Sequence, residues 1–286
     1  MPPGIEIAFL CALLLAVKDS ISKKLAKDID GTTSAFASFA FALPFYLVAL
    51  TVLGLLGQEH FTFTRQFLLL VFLRALTDSF AECFKMWSFS YGDLSLVACF
   101  QALSPIFLLF TSPLITGDKV QPHDILGLAF VVGATLVVVY RPSSSAVPTN
   151  WKAIGLATLS AFFFSLNSCF DRLAVQHGSP VWSAFTMTML SAVMILPFLK
   201  RSAQLPADLM VQARLFSLRG FIEVFFMTAK LAALQYLSAP QVVAIQRSSL
   251  VISIFSGRML FGEQDTVRRL VAGCLIVVGV AVVLLG

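Results

Sequence analysis

Charge is scarce in this chain. Asp, Glu, Lys and Arg together make up 12% of its 286 residues, where ordinary soluble domains carry about 25%. So little charge cannot keep a sizeable water-soluble domain in solution. Histidine is scarcer still. His60, His123 and His177 fall at expected loops and make no metal-ligand spacing, so no metal site is expected. The five cysteines, Cys11, Cys83, Cys99, Cys169 and Cys274, lie in apolar runs and form no Cys-x-x-Cys pair. They read as small buried hydrophobes. A phosphate-cradling glycine loop, a nucleophile elbow, a zinc motif and an ATP-binding signature are all missing. No catalytic residue and no cofactor are expected, and the chain reads as something other than an enzyme.

What is present is apolar. Hydrophobic residues supply 58% of the chain, and Phe alone accounts for 28 residues. An integral, multi-pass membrane protein follows, with the lipid bilayer as its solvent. Runs long enough to span lie at about 4–22, 34–56, 67–90, 94–116, 124–140, 152–171, 182–199, 216–236, 240–261 and 268–285. Pro44, Pro105, Pro113 and Pro197 interrupt some of them, which membrane helices tolerate where neighbours satisfy the freed backbone. The first run, Ile5 to Val17, lacks a basic start and a small-residue cleavage site, so it reads as a retained helix. The net charge of +5 comes mainly from loop Lys and Arg and points to no nucleic-acid partner.

The chain also repeats itself. Arg74, Asp78, Phe80, Lys85, Tyr91, Val97, Gln101, Ser104, Phe110, Gly117 and Asp118 recur 145 positions later. Their counterparts are Arg219, Glu223, Phe225, Lys230, Tyr236, Val242, Gln246, Ser249, Phe255, Gly262 and Glu263. One extra residue then carries Gly127 and Gly133 onto Gly273 and Gly279. Helices one and six match more loosely, KDSISKKLA at 18–26 against LNSCFDRLA at 166–174. The Ser- and Pro-rich stretch RPSSSAVPTN, from Arg141 to Asn150, divides five helices from five. Because five is odd, the second half must sit upside down relative to the first. The expected fold is an all-α membrane protein of ten transmembrane helices in two inverted five-helix repeats.

With a Gly-acid pair after helices four and nine and Gly-containing closing helices, the sequence resembles the EamA-type drug/metabolite transporter superfamily. The resemblance implies a first repeat over 1–140, a linker at 141–151 and a second repeat over 152–286. It also implies a basket of helices around a central cavity, lined by helices one, three, four, six, eight and nine. Family members carry amino acids, drugs or other metabolites. Compactness makes a bacterial inner (plasma) membrane the expected location. A monomer or weak homodimer is the expected state.

The buried charges are more numerous than that resemblance predicts. At 100° per residue, Arg74, Asp78, Glu82 and Lys85 fall within an arc of about 80° on helix three. Helix eight repeats the stripe as Arg219, Glu223 and Lys230, and each stripe can pair at i,i+4, as Arg74–Asp78 and Arg219–Glu223. Helices four and nine add Gln101, Gln246 and Arg247; helix one adds Lys18 and Asp19; helix six adds Asn167 and Asp171. A charge at the bilayer centre costs roughly 2.5–3.5 kcal/mol on insertion scales, so these groups must face one another or a wet cavity. Local spacing offers no acid to Lys230 or Arg247, and Arg247 stands where the first repeat has Ala102.

The expected substrate-binding set is Lys85, Gln101, Lys230, Gln246, Arg247, Arg74, Arg219 and Asn167. Asp78, Glu82, Glu223 and Asp19 are the expected ion-pair or proton-coupling acids. With six cations against four acids, the cavity suits a small anionic or zwitterionic molecule. A secondary-active transporter, an exporter or exchanger of an amino acid or related compound by alternating access, is the expected function. A membrane-embedded enzyme or a passive channel are the alternatives, and closed salt bridges clamping the helices are the structural alternative for the charges. Trp87, Tyr91, Trp182 and Tyr236 are expected near the cavity, and they read as interface anchors more readily than as ligand platforms. Loops after odd-numbered helices carry ten basic residues and the others three, which puts both termini away from the cytoplasm. The family resemblance implies the reverse.

Overall fold

The computed structural model describes residues 3–26, 28–117, 122–139, 150–199, 210–263 and 266–285. Among these residues there is no strand. Thirteen α-helices are present among the described residues where ten were expected, because three of the expected helices are each broken in two. They are α1 (Pro3–Leu25), α2 (Gly31–Ala40), α3 (Leu43–Leu55), α4 (Arg65–Tyr91), α5 (Leu94–Gln101), α6 (Ser104–Ile115) and α7 (Pro122–Val139). The second half follows with α8 (Trp151–Ala174), α9 (Pro180–Ile195), α10 (Ala213–Tyr236), α11 (Ala239–Gln246), α12 (Ser249–Phe261) and α13 (Thr266–Leu285). The expected linker falls almost wholly outside the described residues, as does Asp118 of the first Gly-acid pair.

Each break is a tightened turn, with no unwound stretch. Leu103 N donates to Phe100 O at 3.1 Å and Ile106 N to Leu103 O at 2.9 Å. Arg247 N, Ser248 N and Leu250 N likewise reach back three residues, each at 3.0 Å. Pro105 sits in the first turn of α6, where its missing N–H leaves no bond unmade. The second repeat makes the same break with Leu250 in that place, so proline is not its cause. Pro113 does not end its helix, since α6 continues to Ile115.

Gly117 and Gly262 close α6 and α12 with φ of 73° and 64°. That left-handed turn strains any side chain with a Cβ, which explains why the Gly of each Gly-acid pair is repeated.

The halves interlock reciprocally. The most extensive packing joins α4 to α8, α7 to α13 and α1 to α10. In each pair one helix comes from each half, and helix three of one half meets helix one of the other both times. Among the described residues four apolar clusters result, two of them large. One gathers Met86, Phe89, Leu94, Val97, Ile154 and Ile254; the other gathers Ala8, Cys11, Tyr46, Leu231, Leu234 and Val243. On α1 and α4 the charged residues lie between stretches belonging to these apolar clusters.

The outside of the bundle is apolar as well. Leu47, Val48, Val52 and Leu55 on α3, Leu68, Leu69 and Phe72 on α4, and Phe221 and Phe225 on α10 are all exposed. Such a belt needs lipid around it. Among the described residues four stretches are long and apolar enough to cross a membrane, by length and composition alone: Gly31–Leu55, Leu94–Ile115, Trp151–Ala174 and Pro180–Phe198. Helices α1, α4 and α10 carry the charged stripe instead, and that charge is spent inside the protein.

Candidate functional site: a charged central cavity

One small cavity of about 50 Å³ lies at the centre of the charged layer. It has room for a few water molecules. Ten of the twelve residues expected at the site line it: Asp19, Arg74, Asp78, Glu82, Lys85, Gln101, Glu223, Lys230, Gln246 and Arg247. Arg219 and Asn167 do not line it. They stand behind the wall, where Arg219 is fully buried and Asn167 is a bridge. Asn167 Nδ2 donates to Asp78 Oδ1 at 2.8 Å, and its Oδ1 accepts from the Thr77 hydroxyl.

The charges form two networks. In the first, Arg74 pairs with Asp78 one turn along α4 and with Asp171 of α8 at 2.9 Å. Asp171 also holds the Lys230 ammonium of α10 at 2.7 Å. Lys230 therefore does have an acid partner. Local spacing missed it because the partner lies on another helix, 59 positions away.

In the second network, Arg219 reaches across to Glu82, and its Nε donates to the Ser22 hydroxyl at 2.7 Å. The expected Arg219–Glu223 pair is loose, at 3.9 Å, because Glu223 turns to Lys18 at 2.9 Å. Lys85 sits 2.7 Å from Glu82 and 3.6 Å from Asp19. Lys18 also stands over the Phe226 ring, 3.8 Å from its centroid.

On formal charges the first network holds Arg74 and Lys230 against Asp78 and Asp171. The second holds Lys18, Lys85 and Arg219 against Asp19, Glu82 and Glu223. Both are neutral. Counting Asp171 makes the acids five against six cations, and the surplus cation is Arg247. Among the described residues no carboxylate lies within salt-bridge distance of it. Its Nη2 donates to the Ser104 hydroxyl at 2.6 Å, and its Nε has no partner. Gln101 Nε2 and Asp19 Oδ1 are likewise without hydrogen-bond partners. Three unsatisfied buried polar groups at one cavity are costly unless something else meets them.

The breaks position these groups. Gln101 ends α5 and Gln246 ends α11, while Arg247 is the turn residue between α11 and α12. Its bond to Ser104, the first residue of α6, ties the two breaks together. Gln246 Nε2 meets Cys11 Sγ at 2.9 Å. The lining also includes Phe39, Phe164, Phe226, Met227 and Ser168. Met227 had a readable signal, since it occupies the repeat position of Glu82. Phe39, Phe164 and Phe226 had none among 28 phenylalanines.

The expected anchors Trp87, Tyr91, Trp182 and Tyr236 all lie away from the cavity lining. Trp182 packs with Phe61, Phe63 and Phe185, and Tyr91 lies under the Lys152 ammonium. No group of three or more potential metal ligands occurs among the described residues.

Two homologous helical halves, an apolar exterior and a buried charged cavity define an integral membrane protein of the two-repeat kind. The family model of the EamA-like transporter family matches residues 2–140 and 151–285, and the chain belongs to that family, within the drug/metabolite transporter superfamily. A solved crystal structure superposes with a TM-score of 0.69 over 99% of both chains at 15% identity, a likeness of fold. No curated protein matches the sequence.

Proposed function

We propose that the chain is a secondary carrier that moves a small anionic or zwitterionic metabolite by alternating access. Amino acids and related compounds fit that description. In this reading the ten helical rods, broken or whole, cross the membrane, and the two halves have opposite orientation. The observation that carries it is Arg247. Every other cation of the cavity is matched by a carboxylate, so a cargo with one acidic group would complete the charge balance and satisfy Arg247 Nε and Gln101 Nε2. Asp19, with a free oxygen and a distant lysine, is the acceptor available to a cargo ammonium or a proton.

The cavity of about 50 Å³ is too small for a metabolite, which in this reading makes the conformation an occluded one. Reciprocal packing between the halves supports two alternative dockings of similar energy, as alternating access requires. The test is counterflow in proteoliposomes: labelled solute should accumulate against unlabelled solute inside. An enzyme or a channel would give no counterflow for any member of a panel of carboxylates, amino acids and phosphate esters.

A further inference from the structure

The acid of the second Gly-acid pair leaves its own half. Gly262 turns the chain at the end of α12, and Glu263 folds back over Gly257. A Cβ on Gly257 would lie 2.4 Å from Glu263 Oε2, so a side chain there would push the carboxylate out of this position. The carboxylate then accepts from Leu94 N at 2.6 Å, from Ser95 N at 3.2 Å and from the Ser95 hydroxyl. Those are the first amides of α5, in the other half. Asp93 is the N-cap residue of that helix but makes no side-chain cap bond. It binds Arg269 of α13 at 2.7 Å instead, and Arg269 binds Glu263 at 2.9 Å. Arg269 and Glu263 are almost fully buried, while the Asp93 side chain is 42% exposed.

The first half cannot build the same cluster. Ser238 stands where Asp93 stands, and it caps α11 itself in a reciprocal capping box with Gln241. Pro240 stands where Ser95 stands and has no N–H to give. His123 stands where Arg269 stands. Other ties gather at the α5 end: Lys23 Nζ donates to Phe89 O at 2.6 Å and Ser90 Oγ to Ala26 O at 3.0 Å.

We propose that Glu263, Arg269 and Asp93 form a latch between the halves, which holds the cavity shut at the end where α5 begins and releases when that end opens. The proposal rests on the carrier reading. Opening this end means pulling α5 away from α12 and α13, which breaks buried charge-assisted bonds. At the opposite end Ser238, Pro240 and His123 take the places of Asp93, Ser95 and Arg269, so the same set of bonds does not hold that end and it opens at lower cost. The latch therefore biases the resting carrier toward one side of the membrane.

The test is sided thiol labelling. Cys83 and Cys274, the two cysteines that are not buried, are replaced by Ala, and Ser168→Cys places one reporter on the cavity wall. A membrane-impermeant methanethiosulfonate is applied to spheroplasts and to inside-out vesicles. The parent should label from one face only. Arg269→Gln should label from both, its rate at the α5 face rising at least about tenfold, as expected for loss of a buried charge-assisted bond. Arg269→Lys should restore one-sided labelling. Glu263→Gln and Gly257→Ala give the same readout if Arg269→Gln does not fold. One-sided labelling in all the folded latch variants, or two-sided labelling in the parent, overturns the latch. Counterflow is measured separately on the chain with its native Ser168 and cysteines. Its absence with sided labelling as expected sinks the carrier reading alone.

Discussion

Arg247 of one half donates to Ser104 of the other across 2.6 Å, and so the residue at one helix break is tied to the helix that starts at the other. The bond joins two sites 143 positions apart and leaves the buried Arg247 Nε without a partner at the cavity.

Arg247→Gln should remove the surplus positive charge without leaving any acid unpaired. Counterflow of an anionic or zwitterionic solute should fall by an order of magnitude or more, since a charge-assisted contact to cargo is worth about 1.5–3 kcal/mol. The melting temperature in detergent should change little. Full transport activity in this variant would remove the main support for an acidic cargo.

Asp171→Asn should be the more damaging change in the first network. Asp171 serves both Arg74 and Lys230. Breaking a buried pair by removing one partner costs about 3–5 kcal/mol. Lys230→Gln should cost less, because Asp171 keeps Arg74. Thermal unfolding of the two purified variants gives the order, and a reversed order would contradict this network.

Gly220→Ala should destabilise without touching a charge. A Cβ there would sit 2.4 Å from Phe41 O, at the break between α2 and α3. Backbone cannot yield as a side-chain tip can, and overpacking costs about 1–3 kcal/mol. Phe110→Leu is the matching control. Phe110 is 67% exposed on the lipid-facing surface, and its replacement should leave transport and melting temperature near the parent's.

Orientation has a direct readout. Of the ten basic residues assigned to loops after odd helices, Lys23, Arg268 and Arg269 are bonded to protein groups. Lys27, Arg141, Lys200 and Arg201 lie outside the described residues, and Lys24, Lys152 and Arg214 are exposed. On the other side Arg65 is exposed, Arg172 donates to Leu237 O and Lys119 is not described. The exposed count still favours termini away from the cytoplasm, by three to one. A C-terminal fluorescent-protein fusion should therefore stay dark; fluorescence in the cytoplasm would reverse the assignment.

Much of the cavity lining was legible in the sequence. A repeat at a constant offset exposes itself in any chain, and charge inside apolar runs has to turn inward because lipid cannot solvate it. That placed the stripes on helices three and eight and brought Arg74, Asp78, Glu82, Lys85, Glu223 and Lys230 to one cavity. The 3.6-residue period also made Arg74–Asp78 readable as a pair along one helix.

Partners across helices were not legible. Lys230 finds Asp171, Glu82 finds Arg219 and Glu223 turns to Lys18. Each choice depends on which helices the two halves press together, and nothing local encodes that. The same holds for the broken helix at Arg247, which forms without a proline, and for Glu263, whose glycine was readable while its destination was not. The sequence alone determined which residues must be buried, since that follows from the cost of charge in hydrocarbon. Only the tertiary structure decided which charge meets which, because several pairings satisfy that cost equally and packing between the halves selects one, leaving Arg247 over.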